Sequence, residues 1–168
     1  MALNQEKVVR TFTYSFFSRL ILKSGNIPVT ILLSLYLGYF VVKLDKNLLF
    51  LLPIAITLLL IYFLNKHYLI LFQNLPYRIQ ADDDKMICDK FMFSKKVHTV
   101  FFNDIESLTG GIFSGRTYGL MKIFDKRNNI TIAFYHRISN AKLLETLILS
   151  RISKELYDSV LKQMQANK

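Results

Sequence analysis

Two stretches of this 168-residue chain limit its fold more than anything else in it. SGNIPVTILLSLYLGYFVV, Ser24 to Val42, and NLLFLLPIAITLLLIYFLN, Asn47 to Asn65, each run for 19 residues without a charged side chain. At about 1.5 Å per helical residue each reaches roughly 28 Å, close to the ~30 Å hydrocarbon thickness of a bilayer. Inside hydrocarbon a backbone must satisfy its own hydrogen bonds, so both blocks are predicted to be helices. The connector Lys43–Lys46 (KLDK) is too short to be anything but a tight turn. The pair is therefore expected to form a transmembrane hairpin over residues 24–65, with both chain ends on one side.

Basic residues say which side. Lys7, Arg10, Arg19 and Lys23 precede the hairpin and Lys66, Arg78 and Lys85 follow it, against Lys43 and Lys46 in the turn. The positive-inside bias places both termini in the cytoplasm, with a bacterial inner membrane expected and a mitochondrial inner membrane as the alternative. Pro28 suits the first turn of the first helix, and Pro53 is expected to kink the second. Tyr36, Tyr39 and Tyr62 fit either interfacial anchoring or helix packing. Neither span holds an ionisable residue, so the hairpin is read as an anchor and not as a proton or ion path.

Residues 1–23 are basic, and Val8 to Leu22 (VVRTFTYSFFSRLIL) sets bulky apolar residues between Arg10 and Arg19 with no acid. That pattern predicts an amphipathic lead-in helix lying in the interface. A mitochondrial presequence shares the chemistry, and we expect the segment to be retained instead of cleaved. The net charge of +10 on a chain with two uncharged blocks points toward anionic membrane lipids as a partner. No basic run interleaved with aromatics forms a nucleic-acid module, so no nucleic acid is expected.

From Leu75 the period changes. Tyr77–Gln80, Lys85–Cys88, Val97–Phe102, Ile105–Leu108, Leu120–Phe124 and Ile130–Phe134 are short apolar or β-branched runs separated by turn clusters, which predicts an antiparallel sheet. After Ser139 or Asn140, a candidate N-cap, Leu144, Ile148, Ile152, Leu156, Val160 and Met164 recur every four residues. This predicts one long C-terminal helix packed on the sheet, with residues 153–168 as its distal part.

Four pieces carry a resemblance. YRIQADDDKMICD (Tyr77–Asp89), VHTVFFNDIESL (Val97–Leu108), YGLMKIF (Tyr118–Phe124) and SNAKLLETLILSRI (Ser139–Ile152) follow the hairpin in order. With their spacing, the chain from Leu75 to Ile152 resembles the bacterial pleckstrin-homology-like (PH-like) domain membrane proteins. The turn KFMFSKK (Lys90–Lys96) departs from that pattern by lacking its usual glycine. The resemblance implies a small, partly open antiparallel β-barrel capped by the helix, in residues 75–152.

No residue pattern carries catalysis. In TGGIFSGRTYG, Gly111 and Gly115 have three residues between them, Arg116 stands where a P-loop needs Lys, and a strand follows, so Gly110, Gly111, Gly115 and Gly119 are read as turn geometry. Asp82–Asp84 lacks the alternating ligands, glycine and distal glutamate of a calcium loop. His67, His98 and His136 lack partners at ligand spacing, so no metal or other cofactor is expected. Cys88 is alone and is read as a small apolar strand residue. Asn129-Ile130-Thr131 is a glycosylation sequon, void in a cytoplasmic domain.

The expectation is therefore a non-enzymatic membrane-anchored adaptor or accessory subunit that binds other proteins of a membrane complex, or copies of itself. Its binding surface is expected on the helix stripe Leu156, Val160 and Met164, with the turn tip Ile112 and Phe113. The alternative is a sensor of anionic lipid headgroups. In it Lys95 and Lys96, near His98, form one basic face with Arg116, Lys122, Lys126 and Arg127, each worth about 1 kcal/mol near the membrane.

Overall fold

The computed structural model describes residues 8–91 and 94–166, with Lys46 as backbone only. Lys7, Met92, Phe93, Asn167 and Lys168, which fall within the segments assigned above, lie outside the described residues. The chain divides into two compact units: one combines residues up to Ser18 with those from Gln73 onward, and the other is Arg19–Phe72.

The first unit begins where a helix was expected. Arg10–Thr13 is a strand, β1, and only Phe16–Ser24 is helical, as α1. Alternation decides this. Arg10-Thr-Phe-Thr-Tyr sets Phe12 and Tyr14 on one face, both 1% exposed, and β1 pairs antiparallel with a strand that lies beyond the apolar blocks. The basic-apolar pattern of Val8–Leu22 thus falls on two elements, β1 and α1, and does not form one lead-in helix.

In the second unit α1 is followed by α2 (Ile27–Lys43) and α3 (Leu51–Gln73). Both long helices are apolar enough to cross a membrane, and almost none of their surface is buried: Thr57 and Phe72 are the buried residues of α3, and α2 has none. Two single 3-10 turns, Leu44–Lys46 and Leu48–Phe50, reverse the chain between them. Asn47 sits extended between these turns and its Oδ1 accepts from the Leu49 amide at 2.9 Å. Pro28 lies in the first turn of α2 as expected. Pro53 likewise lies in the first turn of α3, which starts at Leu51, where a proline removes an N–H that has no helical acceptor.

At the other end of the helix pair the polar side chains meet each other. Asn26 Nδ2 donates to Asn65 Oδ1 at 2.6 Å, and Asn65 Nδ2 donates to Thr30 Oγ1 at 3.2 Å and to the Ile61 carbonyl at 2.9 Å. Tyr68 donates its hydroxyl proton to the Leu22 carbonyl at 2.5 Å and accepts from the Gly25 amide at 3.2 Å. These bonds satisfy the chain where α1 breaks into α2 and fix the register of α2 against α3.

The first unit continues with β2 (Pro76–Ala81), β3 (Lys85–Phe91) and β4 (His98–Phe101), which complete a four-stranded antiparallel sheet in the order β1-β2-β3-β4. One 3-10 turn, Phe102–Asp104, leads into β5 (Ile105–Thr109), β6 (Leu120–Asp125) and β7 (Ile130–Tyr135), a three-stranded antiparallel sheet with a register shift between Ile105 and Ser107. The sheets approach where the Ala133 amide donates to the Asn74 carbonyl at 2.8 Å, but no ladder joins them. The barrel implied by the resemblance is therefore not closed: there are two small sheets.

Two of the β-hairpin turns, β2–β3 and β6–β7, are held by an aspartate. Asp82 Oδ1 accepts from the Asp84 and Lys85 amides at 2.8 and 2.9 Å, and Asp125 Oδ1 accepts from Arg127 N at 3.0 Å. Across β2 and β3, Arg78 makes a two-pronged ion pair with Asp89, whose register partner it is. That guanidinium holds the Asp89 carboxyl below the usual carboxylate range. The core beneath the sheets is Phe12, Ile79, Met86, Val100, Phe102, Leu108, Met121, Ile123, Ile132 and Phe134, all at most 2% exposed.

The long C-terminal helix is two helices, α4 (Ala141–Arg151) and α5 (Lys154–Ala166). Ile152 is extended, with ψ 165°, and Ser153 restarts the helix: its Oγ accepts from Leu156 N at 3.3 Å and its carbonyl from Tyr157 N at 3.0 Å. Ser153-Lys-Glu is a readable N-cap with an acid in the first turn, but the four-residue apolar repeat runs straight through it. Ser139 does not cap α4. Instead its amide donates to the Thr13 carbonyl and its Oγ accepts from the Thr13 amide, both at 2.9 Å, tying the helix start to β1.

Candidate functional site

The glycine-rich connection between β5 and β6 folds as one 3-10 turn, Gly111–Ser114, clamped at both ends. The Gly110 amide donates to Ser114 Oγ at 2.8 Å, and the Arg116 amide donates to the Gly111 carbonyl at 3.0 Å. Gly110 adopts φ +75°, and a Cβ there would overlap the Leu120 carbonyl oxygen, so only glycine lets the turn lie flat on β6. Phe113 fills the space inside the turn at 0% exposure, edge-on to Phe134 with ring centroids 6.4 Å apart. α5 packs over this turn and over β5, burying Val160 to 1%.

Two of the five residues expected to bind a partner are therefore core. Val160 and Phe113 face each other's elements, while Leu156, Met164 and Ile112 are half-buried around them. The four-residue repeat carries no free stripe, because the break at Ser153 turns α5 back onto the glycine turn. The apolar surface that α4 and α5 do leave open is on their other side. A groove of about 470 Å³ runs between them past Leu149, Ile152 and Tyr157, and Leu143, Tyr157 and Leu161 are 42, 38 and 36% exposed.

The six basic residues assigned to a lipid-facing surface are dealt to different places. Lys96 lines a hollow with Gln73, Asn74 and His98, next to exposed Lys95. Lys126 and Arg127 stand in the β6–β7 turn among Asp104, Glu106 and Glu155. There Arg127 reaches Asp104 at 3.7 Å and lies over the Phe101 ring at 5.5 Å. Lys122 is exposed on β6. Lys96, the Lys126–Arg127 pair and Arg116 thus line three different hollows.

Arg116 has company that spacing could not show. It borders a depression of about 480 Å³ together with His136, from the end of β7, and Lys142, from the first turn of α4. Ile112 and Met164 form the apolar wall. Behind His136 stands Glu145, 3% exposed, whose Oε1 lies 2.9 Å from His136 Nδ1. Charged residues are seldom buried unless paired, and this carboxylate has taken the imidazole as its partner. One signal for it was available: Glu145 sits between Leu144 and Leu147 on the buried face of an otherwise apolar helix.

Elsewhere the candidate chemistry is absorbed by structure. Asp83 pairs with Arg151 at 2.5 Å. Cys88 is fully buried, and burial pushes its thiol well above the usual range, leaving it protonated and without nucleophilic character. No group of three or more His, Cys, Asp or Glu side chains among the described residues is placed to hold a metal. Comparison of the chain with family models, with curated proteins and with solved structures finds no match.

Proposed function

We propose that this chain is a membrane-anchored, non-enzymatic adaptor or accessory subunit: a PH-like domain held at the bilayer by a helical hairpin and bound there to other proteins of a membrane complex or to itself. The observation that carries the reading is the topology. Apolar helices that are long enough to span, and almost wholly unburied, interrupt a folded β-domain between two strands that pair with each other. The connections are two residues each, Tyr14 and Ser15 on one side and Asn74 and Leu75 on the other, and such a segment spans at most about 10 Å. A domain whose paired strands lead into and out of membrane-spanning helices is retained at the bilayer. The four-plus-three strand arrangement followed by a helical C-terminus supports the PH-like assignment.

The excess of basic residues around the strand-bearing ends supports an inner membrane with both termini cytoplasmic. The open groove between α4 and α5 is the protein-binding surface in this reading. Full-length chain extracted from its native membrane in mild detergent is expected to migrate as an assembly larger than one chain. The double variant Tyr157→Asp/Leu161→Asp, both exposed positions, is expected to release it to a single chain with its thermal unfolding unchanged. A wild-type chain that runs alone, or an assembly indifferent to the substitutions, would refute the adaptor reading.

A further inference from the structure

We infer that the depression between the glycine turn, the end of β7 and the start of α4 is a binding site for a phosphate ester carrying an apolar group. Three basic side chains from three separate elements, Arg116, His136 and Lys142, converge on it. Neither Arg116 nor Lys142 has an ion-pair partner among the described residues. Like charges gathered at one opening repel each other, and an anion between them relieves that repulsion.

Among the described residues, the carboxylate in contact with the cluster sits behind it. Glu145 is buried and engages His136 Nδ1, so it fixes the ring and leaves Nε2 as the ring nitrogen available to a ligand. The Arg116 backbone is also held at the rim, because its amide closes the glycine turn on the Gly111 carbonyl. Donors that approach from three directions suit an anion with oxygens on several sides, which favours phosphate over a flat carboxylate. At about 480 Å³ the depression falls within the range of small-molecule sites, so a phosphate alone would leave most of it empty. Ile112 and Met164 line that remaining space and would cover an alkyl or acyl group.

The phosphate could come from an anionic lipid or from a soluble ester, and one reporter separates the two. The chain has no tryptophan, so Tyr118→Trp, at a rim position 79% exposed, gives a single fluorescent probe in the full-length protein. In phosphatidylcholine vesicles, hexyl phosphate is expected to shift its emission saturably, and inorganic phosphate to do so more weakly. Adding Arg116→Gln and Lys142→Gln should weaken binding about tenfold or more. The control pair Lys85→Gln and Lys90→Gln, which removes the same charge from β3, should leave it unchanged. If vesicles containing phosphatidic acid reproduce the shift without soluble ester, the ligand is a lipid headgroup. A shift with hexyl phosphate and none with phosphatidic acid assigns a soluble ester. No saturable shift from either source, or an equal loss in the control pair, overturns the site.

Discussion

Gly110 shows how much one backbone position decides here. Its φ of +75° and the Leu120 carbonyl beside it exclude any side chain, and through it the turn reaches back to bury Phe113 and to hold the Arg116 backbone at the rim. Gly110→Ala is expected to lose on the order of 2–4 kcal/mol from backbone strain and displaced packing, lowering the unfolding midpoint of the detergent-solubilised chain by several degrees. An unchanged midpoint would mean the turn yields locally and does not hold α5. That these glycines serve geometry was legible from their spacing. That Phe113 is core was not, since a phenylalanine in a turn reads as a tip until something is seen to cover it. The pairing of His136 with Glu145 was equally hidden, because two residues from different elements meet only after α4 docks.

Among the elements, six of the seven strands follow from alternating or β-branched runs between turn residues, and their bounds differ from expectation by a few residues at most. β1 and the C-terminal helices do not. In Arg10–Tyr14 only Phe12 and Tyr14 mark a buried face, too few residues for periodicity to separate strand from helix, and the pairing of Thr11↔Gln80 and Phe12↔Ile79 is what settles it. In the C-terminal segment a continuous apolar repeat outweighed one serine. Ser153→Ala is expected to cost about 1 kcal/mol as a lost N-cap. Hydrogen exchange should quicken at the first amides of α5, including Leu156 and Tyr157, while α4 stays protected; exchange as slow as in the parent would show that docking alone starts the helix.

On the scale of the whole molecule, the hairpin is an insertion into a sheet. Because Thr13 and Arg78 are register partners, the chain must leave and return at neighbouring points, which allows only an even number of membrane crossings between them. Cysteines introduced at Val9 and Ser159, both exposed, are expected to react with a membrane-impermeant maleimide from the same face of sealed vesicles. Native Cys88, buried and protonated, should add little background. Labelling of the two positions from opposite faces would break the topology.

Sequence by itself determined the two apolar helices, most of the strands and the turns between them, because length, uncharged composition and short-range alternation are local properties. Tertiary structure alone decided that β1 completes a sheet across the inserted hairpin, that α5 folds back on the glycine turn, and that Arg116, His136 and Lys142 share one depression. Each of those outcomes depends on contacts between residues far apart in the chain, where burial and pairing override what any short window of residues prefers.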